Sequence, residues 1–151
     1  PDELPLRLLE IGTGSGAIAV VAAQEIPNCR VTATDYFLKA LAVARLNAKK
    51  HGVSDKINFV KSDIFLELPI VLYDCIVSNP PYIKTSRLNG LMADVIDFEP
   101  RGALDGGKDG LSFYKRIIPE ALSYLKKGGA VVLEIGETQA KEVTRLFDQE
   151  D

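Results

Sequence analysis

The sequence predicts an α/β fold built on a parallel sheet with helices on both faces. Short, nearly continuous apolar runs alternate along the chain with longer stretches of helical period, the pattern of strands covered on both sides. The first run ends in a glycine cluster, and the fourth ends on Asn-Pro-Pro-Tyr. In such sheets ligands bind outside the carboxyl ends of the strands, where strand order reverses.

The elements follow in order. "LRLLEI" (Leu6–Ile11) is a buried strand running into glycines. The Ala-rich "SGAIAVVAAQEI" is a helix stopped by Pro27, and the β-branched "RVTAT" (Arg30–Thr34) is a second strand. From Leu38, the residues Leu38, Leu41, Ala42 and Leu46 fall on one helical face. Lys49, Lys50 and His51 crowd the end of that helix, and Gly52 stops it. The single histidine is therefore expected to be an exposed helix-terminal residue. "INFVK" (Ile57–Lys61) and "YDCIVS" (Tyr73–Ser78) are strands three and four, with Cys75 a small core residue. Leu111, Tyr114, Ile117, Ile118, Ala121, Leu122 and Leu125 make a 3.6-period stripe, a helix ending near Gly128-Gly129. "AVVLEI" (Ala130–Ile135) is a fifth strand, and Thr138–Gln149 a last amphipathic helix. The stretch Lys84–Lys108 is long for a connection and is expected to be an active-site loop or lid.

At 151 residues the chain is one domain, residues 1–151, with an ordinary 46% of hydrophobic residues. A net charge of −3 offers no basic footprint, so no direct nucleic-acid partner is expected. Cys29 and Cys75 have no C-x-x-C spacing, which argues against a disulfide framework or a zinc site. A reducing compartment is expected: the cytoplasm, or alternatively an organelle. No apolar stretch approaches about 18 residues, so no membrane span is expected. A monomer without a metal is expected.

"EIGTGSGA" puts Gly12, Gly14 and Gly16 on the turn between the first strand and the first helix. Glycines there let backbone approach a ligand, and the helix start offers unpaired N–H groups. Asp35, 19 residues beyond Gly16, can accept both hydroxyls of a ribose. The loop fits G-x-G-x-x-A as well as G-x-G-x-G, so alone it does not separate a dinucleotide from S-adenosylmethionine (SAM). Two details lean toward SAM. Glu10 is placed to pair with an ammonium group and suits a pyrophosphate poorly. "KSDIF" places Asp63 to bond an adenine amino group and Ile64 to cover its face; the alternative for Asp63 alone is a helix N-cap or turn aspartate.

"IVSNPPYI" stops a strand at Asn79, because proline lacks a donor and holds its predecessor extended. Strand four neighbours strand one in the usual order, so Asn79 emerges beside the glycine loop. A planar NH2 group is a poor nucleophile because its lone pair is delocalised. The Asn79 side-chain oxygen and the Pro80 carbonyl can accept its two hydrogens and fix it in line with a sulfonium methyl. Pro81 adds rigidity without a competing donor, and the Tyr82 ring can lie against the flat acceptor and the charge that forms on it. The residues do not say which NH2 group is meant.

Read together, "LLEIGTGSGAIAV", "SDIF", "IVSNPPYI", "FEPRGALDGGKDGLSFYKRI" and "LEIGETQ" resemble the HemK/PrmC family over nearly the whole chain. These are the protein-(glutamine-N5) methyltransferases of peptide-chain release factors. The resemblance implies a Rossmann-like class I SAM-dependent methyltransferase fold, SAM as cofactor, and the glutamine of the Gly-Gly-Gln motif as acceptor. It implies that Gly12, Thr13, Gly14, Ser15, Gly16, Asp35, Ile64 and Asn79 contact SAM. Asn79, Pro80, Pro81 and Tyr82 would hold the glutamine amide. The glycine loop is generic to SAM enzymes and Asn-Pro-Pro-Tyr is shared with nucleic-acid amino methyltransferases, so "EPRGALDGGKDGL" is the specific element. Some members carry an aromatic at the position of Ile64, where this chain offers aliphatic packing. The family's N-terminal helical domain, a Pro-Arg-x-Glu-Thr-like stretch and the last two strands have no counterpart here. A fragment of a longer protein is therefore expected, with strand five an apolar edge.

Three other functions compete. A nucleic-acid adenine-N6 or guanine-N2 methyltransferase predicts a basic groove, but Lys84, Arg87, Arg101 and Lys108 are offset by Asp94, Asp97, Glu99 and Asp105. A non-catalytic module of the same fold is disfavoured by the intact Asn79–Tyr82. A nicotinamide dehydrogenase rests only on the glycine spacing.

Overall fold

The computed structural model describes residues 4–90 and 101–150. The chain divides into two units, residues 1–78 with 121–132, and residues 79–120 with 133–151.

The first unit holds a five-stranded sheet in the order β3-β2-β1-β4-β5. Its strands are β1 (Leu6–Ile11), β2 (Cys29–Asp35), β3 (Ile57–Lys61), β4 (Tyr73–Ser78) and β5 (Leu125–Leu133). β1 pairs in parallel with β2 on one side and with β4 on the other, and β2 pairs in parallel with β3. Strand order therefore reverses between β1 and β4, and their last residues, Ile11 and Ser78, lie directly opposite each other. The Ser78 hydroxyl donates to the Ile11 carbonyl at 2.8 Å and ties the two ends together. This is the switch point at which open α/β sheets bind ligands.

Between the strands run α1 (Ala17–Glu25) and α2 (Leu38–Lys50). Leu8, Val31, Ala33 and Ile57 from the strands bury with Ala19, Val20 and Ala23 from α1 and Ala48 from α2. The face of α2 differs from expectation. Leu41 is buried, but Leu38 and Leu46 are 62% and 67% exposed, and Ala44 and Ala48 take the inner positions. Close approach is the physical reason: a Cβ on Gly16 would lie 2.9 Å from that of Ala44, a distance that leaves no room for leucine. α2 ends as expected, with His51 exposed at its C-terminus and Gly52 at φ +70°. Cys29 is buried, whereas Cys75 is only half-buried.

The second unit contains a short helix, α3 (Arg101–Leu104), most of α4 (Tyr114–Ala121), and α5 (Ala140–Asp148). Tyr114, Ile118 and Val143 form its core, with Tyr82, Leu111, Leu133, Ile135, Leu146 and Phe147 against them. α4 is shorter than its apolar stripe predicts. A 3-10 turn follows at Leu122–Tyr124, Leu122 is 53% exposed, and β5 already begins at Leu125. Tertiary contacts override the helical period there. Tyr124 stacks on Phe65 with ring centroids 4.6 Å apart, and the Lys126 ammonium bonds both oxygens of Asp74 on β4 at 2.8 and 2.9 Å. Both pull the chain into the sheet before Gly128-Gly129 rather than after it. Among the described residues β3 and β5 are the two edge strands, and Val132 of β5 is exposed.

Candidate functional site

In the first unit, β1 runs into three glycines in the left-handed region: Gly12 at φ +72°, Gly14 at +56° and Gly16 at +83°. Side-chain Cβ atoms disfavour that conformation, which explains the residue type. A Cβ on Gly12 or Gly14 would meet no protein atom within 4 Å, so the loop presents bare backbone outward.

The loop is held from beneath by two buried carboxylates. Glu10 is 2% exposed, and its Oε2 accepts from the Thr13 hydroxyl at 2.6 Å and the Ala19 backbone N–H at 3.0 Å. Burial pushes its carboxyl up to about 7, although both hydrogen bonds act in the opposite direction and nearby Asp35 adds to the rise. Asp35, 7% exposed at the end of β2, accepts from the Gly14 N–H at 2.9 Å and the Phe37 N–H at 2.8 Å. One carboxylate therefore joins the glycine loop to the turn after β2. A backbone bond from Thr13 N–H to the Thr34 carbonyl, 2.8 Å, and one from the Asn47 amide to the Ser15 carbonyl, 2.8 Å, complete the frame.

After β3, Ser62 donates its backbone N–H to the Asp35 carbonyl at 3.0 Å and its hydroxyl to the Ile64 carbonyl at 2.9 Å. Ile64 takes a positive φ of 59°, unusual for a β-branched residue, and is buried. Asp63 is half-buried, and its N–H donates to Glu67 at 2.8 Å.

In the second unit, Asn79 is exposed, Pro80 is buried, and Pro81 and Tyr82 are half-buried. Ile83 bridges to Asp105: its N–H donates to the Leu104 carbonyl at 3.1 Å, and its carbonyl accepts from Gly106 at 2.8 Å. The Tyr82 hydroxyl donates to Glu134 at 3.2 Å. Burial, and then the Glu134 charge, raises the Tyr82 phenol above its ordinary value, so it remains a neutral donor. Tyr114 is pushed up to about 12, mainly by burial, and its hydroxyl donates to the Glu134 carbonyl at 2.9 Å.

Glycine density in "DGGKDG" has a different cause here. A Cβ on Gly106 would lie 2.7 Å from the Tyr82 Cα, and one on Gly110 would lie 2.6 Å from the Tyr82 carbonyl oxygen. The segment exists to bring backbone against Tyr82. Glu134 and Gln139, which contact Tyr82 from the far end of the chain, carried no assigned role in the sequence. The signal available was the string "LEIGETQ", in which a glutamine follows a glycine at a helix start. Of the charges weighed against a basic groove, Asp94, Asp97 and Glu99 lie outside the described residues, as does the middle of the Lys84–Lys108 loop. Among the described residues there is no group of three or more His, Cys, Asp or Glu able to hold a metal ion. No helix among them is long and apolar enough to cross a membrane.

A sheet reversing at its first strand, with a left-handed glycine loop there and a buried carboxylate ending the next strand, is a nucleotide-binding α/β arrangement, and likeness to known proteins makes it a class I methyltransferase fold. A methyltransferase from Pyrococcus furiosus, 25% identical, superposes with a TM-score of 0.71 over 97% of this chain and 64% of that one. The chain belongs to the methyltransferase small domain family, whose profile matches residues 2–98. It is 42% identical over 94% of its length to a release factor glutamine methyltransferase of Geobacter sulfurreducens. A release factor glutamine methyltransferase of Moorella thermoacetica is 45% identical over 92% of this chain. The chain spans 49% of each of these two relatives.

Proposed function

We propose that this chain carries the catalytic part of a SAM-dependent methyltransferase. Its acceptor is the side-chain amide N5 of the glutamine in the Gly-Gly-Gln motif of peptide-chain release factors. The observation that carries the proposal is the pairing of Ser78 with Ile11: the residue before Asn79 is hydrogen-bonded to the residue before Gly12. The activity for which the relatives are named supplies the substrate class.

SAM fits the residues present. Gly12 and Gly14 offer bare backbone that any side chain would cover, and the Asp35 carboxylate keeps lone pairs beyond the two spent on Gly14 and Phe37. Gly12, Thr13, Gly14, Ser15 and Gly16 would hold the cofactor, with Asp35 on the ribose and Asp63 and Ile64 toward the adenine. Glu10 acts chiefly beneath the loop, through Thr13 and Ala19. Bound SAM supplies an electrophilic methyl on a sulfonium.

The chain's task is to make a carboxamide nitrogen nucleophilic. The Asn79 side-chain oxygen and the Pro80 carbonyl accept its two N–H groups, which orients the nitrogen and favours pyramidal geometry as the new bond forms. Pro80 and Pro81 keep that carbonyl rigid and bring no competing N–H. Tyr82 covers the amide plane, and its neutral hydroxyl on Glu134 fixes the ring. Because the proton is lost after methylation, no strong base is required. Such a substrate places the protein wherever ribosomes terminate, in the cytoplasm or in an organelle that translates.

Labelled SAM, offered in parallel with a release factor, its Gln→Ala version, DNA and RNA, tests the proposal. Label is expected on the unaltered release factor alone. Transfer to nucleic acid, or equal transfer to the Gln→Ala factor, refutes it.

A further inference from the structure

Gln139, at the start of α5, is a buried polar side chain of the second unit, 7% exposed. Its Nε2 donates to the Tyr82 carbonyl at 3.1 Å and to the Gly110 carbonyl at 3.0 Å. Its Oε1 accepts from the Gly136 N–H at 3.0 Å. One amide thus joins three chain segments, and its two donors are both used on backbone carbonyls. Leucine or methionine would fill the same volume, so burial alone does not explain a glutamine there.

The glycines around it are fitted to the same contact. A Cβ on Gly110 would stand 2.7 Å from Nε2 and 2.6 Å from the Tyr82 oxygen. One on Gly136 would stand 2.9 Å from Oε1 and 3.3 Å from the Tyr82 ring. Gly110 also holds φ at +78°, which aims its carbonyl at Gln139. Below this, Ile83 is gripped on both its polar groups by Leu104 and Gly106. The backbone after Pro81 is therefore fixed at the Tyr82 carbonyl and at both ends of Ile83.

We infer that Gln139 is a positioning residue for methyl transfer: it clamps the Tyr82 carbonyl to Gly110 and so sets the angle at which Asn79 and Pro80 present their acceptor oxygens. This rests on the proposed role of Asn79–Tyr82. The Asn-Pro-Pro-Tyr segment cannot anchor itself through its prolines, which lack N–H groups. Its rigidity must come from bonds to Tyr82 and Ile83, and Gln139 supplies the one at the Tyr82 carbonyl. Displacement of a reacting group by about 1 Å costs roughly a hundredfold in rate.

The test compares wild type with Gln139→Met and Gln139→Glu in the natural full-length protein. Methionine keeps the volume and removes all three bonds; glutamate keeps the Gly136 bond and removes both donors. Each variant is expected to lower kcat on a release factor roughly 10- to 100-fold. The KM for that factor and the Kd for SAM by calorimetry should stay within about threefold of wild type. The Glu variant should recover part of its deficit relative to wild type as the pH falls, because a protonated carboxyl regains one donor. Amide exchange at Ile83 and Gly106, followed by mass spectrometry, should quicken in both. Unchanged exchange overturns the clamp whatever the substrate proves to be. Quickened exchange with kcat unaltered, or a parallel loss of SAM affinity, overturns the positioning role. If neither variant folds, the amide serves stability alone and the inference is equally overturned. A wild-type protein that ignores release factors defeats the proposed acceptor instead, and the exchange result still decides the clamp.

Discussion

Two glycine-rich segments serve this chain in opposite ways. In the loop after β1, a Cβ on Gly12 or Gly14 would meet nothing, and the cost of a side chain would be conformational and external. In the segment between α3 and α4, a Cβ on Gly106 or Gly110 would collide with the Tyr82 backbone. The first set of glycines keeps space open on one side of the backbone, where a ligand's atoms can approach. The second set removes space between two strands of protein backbone. Carboxyl groups support both segments, Glu10 and Asp35 in the first and Asp105 and Asp109 on the Gly107 and Leu111 N–H groups in the second, where the Gln139 amide also joins Tyr82 to Gly110.

The largest expected effect separates the two regions outright. Asn79→Ala should lower turnover about 10²- to 10³-fold, the usual loss for one transition-state hydrogen bond, while SAM affinity falls by less. Single-turnover transfer of label beside calorimetry reads both quantities; equal losses in the two would merge the regions into one site with undivided roles.

The glycine contrast itself can be tested by pairing Gly110→Ala with Gly14→Ala. The former combines a strained φ with a 2.6 Å clash on Tyr82 and should cost about 3 kcal/mol in a urea melt. The latter carries strain alone, about 1 kcal/mol, with its main effect on SAM affinity. Reversed stabilities would mean that the glycines of the two segments have been assigned the wrong tasks.

Glu10 offers a pH signature distinct from that of the second region, where hydrogen bonds to Thr85 and Lys115 hold the Asp105 and Asp109 carboxyls below their ordinary range. Its carboxyl loses its proton near 4.5 in the unfolded chain and near 7 when buried. Between those values the folded state holds more protons, so its stability falls as pH rises through that window, on the order of 3 kcal/mol in all. Glu10→Gln keeps an oxygen for Thr13 and Ala19 and should flatten this dependence, leaving the variant the more stable above pH 7. Melts at pH 5 and pH 8 that change in parallel for the two proteins would rule this out.

Asp35→Asn is the mildest change. An amide oxygen can replace one acceptor, but its NH2 then opposes either the Gly14 or the Phe37 N–H. SAM affinity should weaken about tenfold with kcat at saturation nearly unchanged. A larger loss of kcat than of affinity would place Asp35 nearer the reacting methyl than the ribose.

Much of this was legible in the residues alone. All five strands were predicted, with β1, β3 and β4 at their observed bounds, because apolar runs bounded by Gly and Pro leave few alternatives. The neighbourhood of β1 and β4 followed from the preferred order of such sheets, and the pairing bears it out. Where the period was helical but the partner was a sheet, local pattern misled. Leu122 and Leu125 continue the stripe of α4, yet stacking on Phe65 and the Lys126–Asp74 pair take the chain out of the helix. In α2, Leu41 was a true guide but Leu38 and Leu46 were not, because what Gly16 meets is the small Ala44.

The sequence by itself determined which residues could carry chemistry: a glycine loop, carboxylates at strand ends, and an Asn before two prolines. Those identities are local, since backbone conformation and donor count are properties of single residues. Only the tertiary structure decided what holds them. That Glu10 lies under the loop, that Asp35 reaches Gly14, and that Gln139 reaches across 57 residues to Tyr82 depend on distant segments meeting. A hydrogen bond of about 3 Å forms or fails on that meeting, which no short window of residues encodes.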